Sequence, residues 1–190
     1  TMEPVAAKKQ EELVDEVRKK YGEIAKTGSS CCGPDASACG TGASDNISIT
    51  LGYDAGALET VTEEANLGLG CGVPIASLDL EAGESVLDLG SGPGLDAFLA
   101  AKQVGETGHV IGVDMTDDML KVARENAPIV ADRIGYANVE FHKARIQDLA
   151  LDLDVFEKVL AAHPVADANA FVAAEEAAEE LRLKELMIAD

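Results

Sequence analysis

The segment Ser85-Val86-Leu87-Asp88-Leu89, followed at once by Gly90-Ser91-Gly92-Pro93-Gly94, limits the possible folds more than any other feature of the chain. It reads as a short strand that ends in a glycine turn. Leu95 to Val104 is an apolar helix, and His109-Val110-Ile111-Gly112-Val113 is a second strand. A helix follows from Asp117 to Ala131, with Thr116 or Asp117 as its N-cap and Met119, Leu120, Val122 and Ala123 as its inner face. Asn138-Val139-Glu140-Phe141-His142 is a third strand. Strand, helix, strand, helix, strand at this spacing predicts a parallel sheet with right-handed crossovers, an α/β architecture of Rossmann-like type.

The preceding part of the chain has a different texture. From Ala6 to Lys26, Leu13, Val14, Val17, Tyr21 and Ile24 recur at helical spacing, so an amphipathic helix is expected to lie on something larger. Thr27 to Asn46 is rich in Gly, Ser and Ala, carries Cys31, Cys32 and Cys39, and reads as a loop. A short helix is expected from Ala55 to Glu64, then the glycine-punctuated stretch Gly68-Leu69-Gly70-Cys71-Gly72. The expected boundary falls at 82/83, with the N-terminal helix and cysteine-bearing region before it and the Rossmann-like region with a helical, acidic tail after it.

Fifteen Lys and Arg against 35 Asp and Glu give a net charge of −20 over 190 residues. Such a field repels phosphate backbones and anionic lipid heads, which argues against nucleic acid and membrane surfaces as partners. Solubility and adaptation to high salt use the same charge lever, and both readings stand. No apolar run approaches the roughly 20 residues needed to span a bilayer. Charges interrupt the N-terminal stretch where a signal peptide would be apolar. A cytoplasmic location with reduced thiols is expected.

The glycine turn is the natural place for a ligand. Gly90, Gly92 and Gly94 let the backbone turn sharply, and with Asp88 and Ser91 they form the surface on which a ligand would lie. A dinucleotide fingerprint would want glycine at 95, where this chain has Leu. Asp88 is a second argument against a dinucleotide, because its carboxylate would repel a pyrophosphate. S-adenosylmethionine has no phosphate and carries an ammonium and a sulfonium, so the charge logic favours it. Asp114 ends the second strand and can accept both ribose hydroxyls; Ala144 to Asp148, after the third, is placed to line the adenine. A Rossmann-like sheet with an empty crevice is the competing reading, since the fold alone permits it.

Cys31 and Cys32 are adjacent and do not form the paired knuckles of a structural zinc site. Ser29, Ser30, Gly33 and Pro34 surround them without apolar pattern, so they do not read as small core hydrophobes either. Thiols in such a loop suit capture of a soft, thiophilic ion.

Four stretches together make a resemblance: Gly28-Ser29-Ser30-Cys31-Cys32, Asn66-Leu67-Gly68-Leu69-Gly70-Cys71-Gly72-Val73-Pro74, Val86-Leu87-Asp88-Leu89-Gly90-Ser91-Gly92, and Val110-Ile111-Gly112-Val113-Asp114-Met115-Thr116. Over about Val17 to Leu149 the chain resembles the microbial arsenite methyltransferases, class I enzymes that use S-adenosylmethionine. The resemblance implies methyl transfer to trivalent arsenic, with a thiol reductant as partner. It implies that Asp88, Gly90, Gly92 and Asp114 bind the cofactor and that Met115 and Ile146 flank adenine. It further implies that Cys71, with Cys31 or Cys32, holds the arsenic. Methyl transfer from a sulfonium to an arsenic lone pair needs alignment and exclusion of water rather than an acid–base pair. His109, His142 and His163 are therefore read as strand-end and surface residues.

The chain also departs from that family. Only 190 − 148 = 42 residues follow Asp148. At roughly 30 residues per βαβ unit they cannot supply the four further strands of a seven-stranded sheet. The family's cysteine after strand four and a later one are absent. The tail instead offers a helix with Val155, Phe156, Val159 and Leu160 on one face, a break at Pro164, an acidic helix from about Ala168 to Glu185, and Leu186 to Ala189 as a short strand. The expected sheet is incomplete or shortened, belonging either to a piece of a longer enzyme or to a short form that binds arsenite or cofactor without catalysing. A small organic acceptor is a further alternative. An open sheet leaves an edge and apolar faces uncovered, which makes self-association an expectation.

Overall fold

The computed structural model describes residues 4–27, 48–67, 75 and 78–184. The elements, in chain order, are α1 (Pro4–Thr27), α2 (Ala55–Leu58), β1 (Ser85–Leu89), α3 (Leu95–Val104), β2 (His109–Asp114), α4 (Asp117–Ile134), β3 (Val139–Lys143), α5 (Leu153–Ala162) and α6 (Ala168–Lys184). The three strands form one parallel sheet in the order β1-β2-β3. β1 and α3 have the bounds that the sequence predicts. The expected helix from Ala55 to Glu64 closes after one turn, continuing as turns in which Val61 N donates to Leu58 O and Ala65 N to Thr62 O. α4 runs past Ala131 to Ile134, where Gly135 adopts φ +92° and its N–H closes on Ala131 O at 2.8 Å. The loop from Thr27 to Asn46, the glycine stretch at 68–72, the strand expected at 186–189 and all four cysteines lie outside the described residues.

The sheet has two unequal faces. Successive side chains point to opposite sides, and the register places Val86, Val110, Val139 and Phe141 on one of them. That side is covered by α3 and α4, and its core contains Phe98, Leu99, Val104, Leu120 and Val130. Tyr53, Leu58, Val61 and Ala65 join the same core from the N-terminal part of the chain. On the opposite side Leu87 is exposed and Leu89 is 50% exposed. β1 pairs with β2 alone among the described strands. No described helix is long and apolar enough to cross a membrane.

Two glycines set how closely the layers approach. A Cβ on Gly112 would lie 2.5 Å from two ring atoms of Phe141, and one on Gly94 would lie 2.8 Å from both Phe141 and Phe98. The rings of Phe98 and Phe141 meet edge to face, with centroids 5.4 Å apart and planes at 73°. Asn138 ties the other end of this layer, its amide donating to Ala101 O at 2.9 Å and Gly105 O at 2.8 Å.

α1 lies on α4, but not through the whole apolar stripe that its sequence suggests. Ile24 is buried in a small cluster with Leu67 and Met119. Leu13 is 59% exposed, and Val17 and Tyr21 are exposed as well. The rest of the contact is made by Gly22, where a Cβ would come within 2.7 Å of the Asp118 carboxylate, and by ion pairs. Arg18 reaches Asp117 at 3.2 Å and Lys26 reaches Asp118 at 2.9 Å. Behind them Lys143 is 1% exposed, with its ammonium 2.6 Å from Asp117 and 2.5 Å from Glu157. Burial works against that charge, but the two carboxylates outweigh it and hold the Lys143 pKa above the usual lysine value. One cation thus links α4, β3 and α5 through Asp117 and Glu157, while the neighbouring Asp154 carboxylate pairs with Arg124 at 2.7 Å.

Gly112→Ala should lower stability by about 1–3 kcal/mol in urea denaturation, because Phe141 has to leave its seat. In a Phe141→Leu background the same substitution should cost clearly less. Equal losses in both backgrounds would mean that the ring does not set the spacing.

Candidate cofactor site

The glycine turn lies where β1 meets α3 and is held by the neighbouring strand. Gly90 N and Ser91 N both donate to Val113 O, at 2.7 and 3.0 Å, and Gly94 N donates to Ser91 O at 2.9 Å. Gly90, Gly92 and Gly94 have φ of +83°, +53° and +97°. Residues with a Cβ rarely adopt these values, so glycine is required for conformation before any ligand is considered. Above Gly90 and Gly92 an added Cβ would meet nothing within 4 Å. The backbone there is open to close approach.

Asp114 closes the loop from the far side. One carboxylate oxygen accepts from Gly92 N at 3.0 Å, and the other from Thr116 N at 2.7 Å. Thr116 is the N-cap of α4 but makes no side-chain capping bond, so the carboxylate two residues earlier supplies an acceptor at that turn. Lone pairs remain on both oxygens for hydroxyl donors.

Asp88 is placed differently. Its Oδ2 is buried and has no hydrogen-bond partner, as is also true of Ser91 Oγ. Burial, then the charges of Asp96 and Asp114, push the Asp88 pKa up to about 6, with only the Ala97 N–H pulling the other way. Asp96, in the first turn of α3, is also raised by burial, against which the Tyr53 hydroxyl acts. Tyr53 O–H donates to the two Asp96 oxygens at 2.9 and 3.2 Å. The result is a group of carboxylates whose repulsion a cationic ligand would relieve. An orphaned buried oxygen, an open glycine backbone and anionic acceptors fit a phosphate-free cation such as S-adenosylmethionine and oppose a pyrophosphate.

The structure therefore brings together Asp88, Gly90, Ser91, Gly92, Gly94 and Asp114, with Met115 following directly on β2. Ile146 is 56% exposed in the turn after β3, where Asp148 N donates to Arg145 O and the Asp148 carboxylate pairs with Arg182 at 2.8 Å. Cys31, Cys32 and Cys71 lie outside the described residues. His109 and His142 share the Glu140 carboxylate at 3.2 and 3.3 Å, and His163 caps α5. Sequence reasoning missed two residues. Asp96 was legible in principle as an acid one residue into the helix; Tyr53, 43 positions earlier, left no signal of its own.

The cavity of about 360 Å³ beside Leu58, Val61, Asn66 and Arg133 is not this site. Arg133 stands near the far end of α4, about 24 Å along the helix from Asp117 at 1.5 Å per residue.

Known proteins share this sequence in part. The methyltransferase-domain family matches residues 80–187, more than half of the chain. An arsenite methyltransferase of Halobacterium salinarum is 45% identical over 152 residues, which cover 76% of this chain and 38% of that protein. An arsenite methyltransferase of Mus musculus is 33% identical over 148 residues, 76% of this chain and 37% of that protein. The solved structure of an arsenic(III) S-adenosylmethionine methyltransferase from Chlamydomonas reinhardtii aligns with 38% identity and a TM-score of 0.41, covering 54% of this chain and 33% of that one. The chain spans less than two-fifths of the length of these curated relatives. With a family match across β1 to α6, 45% identity to an arsenite methyltransferase over three-quarters of the chain and a parallel Rossmann-like sheet, the chain belongs to the class I S-adenosylmethionine-dependent methyltransferases.

Proposed function

We propose that the chain transfers methyl from S-adenosylmethionine to trivalent arsenic held by cysteine thiols. The observation that carries this reading is the 45% identity to the Halobacterium arsenite methyltransferase over 152 residues. The presence of Cys31, Cys32 and Cys71 supports it, since soft thiolates suit a soft, thiophilic centre. Bound cofactor would supply an electrophilic methyl on a sulfonium leaving group. Asp88 would take the ammonium with its orphaned oxygen, Gly90 to Gly94 would carry the methionine portion on bare backbone, and Asp114 would accept the ribose hydroxyls. Met115 and Ile146 would flank adenine, and Cys71 with Cys31 or Cys32 would present arsenic to the methyl. A thiol reductant would keep the arsenic trivalent. The division at 82/83 would then separate arsenic capture from cofactor binding.

The test is incubation of the chain with S-adenosylmethionine, arsenite and a thiol, with methylated arsenic separated and counted. Methylated product that disappears in Cys71→Ser is the expected result. Arsenite binding without product would replace catalysis by sequestration. Cofactor consumption with an organic acceptor in a cysteine-free variant would change the substrate class.

Asp88 gives a second prediction, on stability. Because its pKa is raised in the fold, the folded state holds a proton that the unfolded chain has released between pH about 4 and 6. The fold should lose stability as pH rises through that window, and the penalty is complete above it. Asp88→Asn should therefore stabilise the cofactor-free chain at pH 7, by up to about 3 kcal/mol, while weakening S-adenosylmethionine binding. A variant that loses both stability and binding would make Asp88 a structural residue.

A further inference from the structure

Tyr53 is 3% exposed, and its ring belongs to the same core as Phe98 and Leu95. Its position is fixed from behind. Tyr53 N donates to Ser48 O at 3.0 Å, and the buried Ser48 hydroxyl donates to Asn66 Oδ1 at 2.7 Å. The phenol thus enters from a segment outside the sheet and ends on Asp96, one residue after the start of the helix that follows the glycine turn. Asp96 is close enough to Asp88 for its charge to act there, and the free oxygen of Asp88 faces no protein donor.

We propose that Tyr53 is a positioning residue for the amino-acid end of the cofactor, acting through Asp96. This rests on the cofactor lying over the glycine turn with its ammonium toward Asp88. A charge-assisted bond from the phenol holds the Asp96 carboxylate in one orientation and keeps its charge in place. The anionic field at Asp88 then has contributions from Asp96 on α3 and Asp114 on β2. Asp114 is held by backbone amides of the turn and of α4, whereas Asp96 takes its side-chain donor from Tyr53. Removing the phenol oxygen leaves the ring packed but frees the carboxylate to turn or to take a proton. Ligands that carry the ammonium should feel the change. Ligands that carry only the nucleoside should not.

The experiment titrates the whole chain and its Tyr53→Phe variant with S-adenosylhomocysteine, which keeps the ammonium, and with methylthioadenosine, which lacks it. Tyr53→Phe should weaken the first about three- to tenfold and leave the second within about twofold, the size of one ordinary net hydrogen bond, as fits an effect passed on through Asp96. Asp96→Asn should give a similar selective loss, and the double variant should lose little more than either single one, since the two residues act as one unit. Equal weakening of both ligands, or additive losses in the double variant, would overturn the proposal. If S-adenosylhomocysteine fails to bind even the unaltered chain, the cofactor site itself is refuted. Unaltered affinity for both ligands in Tyr53→Phe would refute only the role of Tyr53.

Discussion

The seating of Phe141 on Gly94 and Gly112 is the contact on which the rest of the site depends. Both glycines lie closer to the ring than any side chain would allow, one at the N-cap of α3 and the other in β2. The ring therefore fixes the height of the glycine turn above the sheet. With the turn at that height, Gly90 N and Ser91 N reach Val113 O, and Gly92 N reaches the Asp114 carboxylate. A packing contact between apolar atoms thus determines the geometry of a polar site.

The electrostatics pull the other way. Asp88 and Asp96 are half-buried and act on one another, and Asp114 adds its charge. Two of these carboxylates have firm donors, Asp96 from Tyr53 and Asp114 from two backbone amides, while one oxygen of Asp88 has none. The fold tolerates this because the hydrophobic layer beneath is continuous from Leu58 to Phe141. A cost of this kind, placed beside an open backbone, is what a site for a cationic ligand requires. The ion cluster around Lys143 is the contrasting case. There the protein supplies its own cation, and the carboxylates of Asp117 and Glu157 are neutralised within the fold.

Much of the sheet was legible because its strands are short apolar runs separated by glycine turns. β1 and α3 match their predicted bounds, β2 runs one residue further, to Asp114, and β3 is displaced by one residue at each end. Asp88, the glycines and Asp114 could be placed together because a βαβ unit brings the ends of neighbouring strands side by side. The Tyr53–Asp96 bond was not legible, since it joins positions 43 apart through a segment with no period. Neither was the reason for Gly112, because only the register reveals that Phe141 crosses it. α1 misled in a different way. Its stripe has helical spacing, yet Leu13, Val17 and Tyr21 stay exposed, and Ile24, Gly22 and the pairs to Asp117 and Asp118 make the contact with α4. Spacing reports an amphipathic helix but not how much of its face is covered.

An anionic crevice at Asp88 that receives S-adenosylmethionine should bind it more weakly once that carboxylate is protonated. Calorimetric titration of the chain with that cofactor at pH 7 and at pH 5 tests it most directly. A single site at pH 7 and about tenfold weaker binding at pH 5 are expected, because in acid the ammonium must first expel a proton from Asp88. No binding at pH 7, or tighter binding in acid, would contradict it.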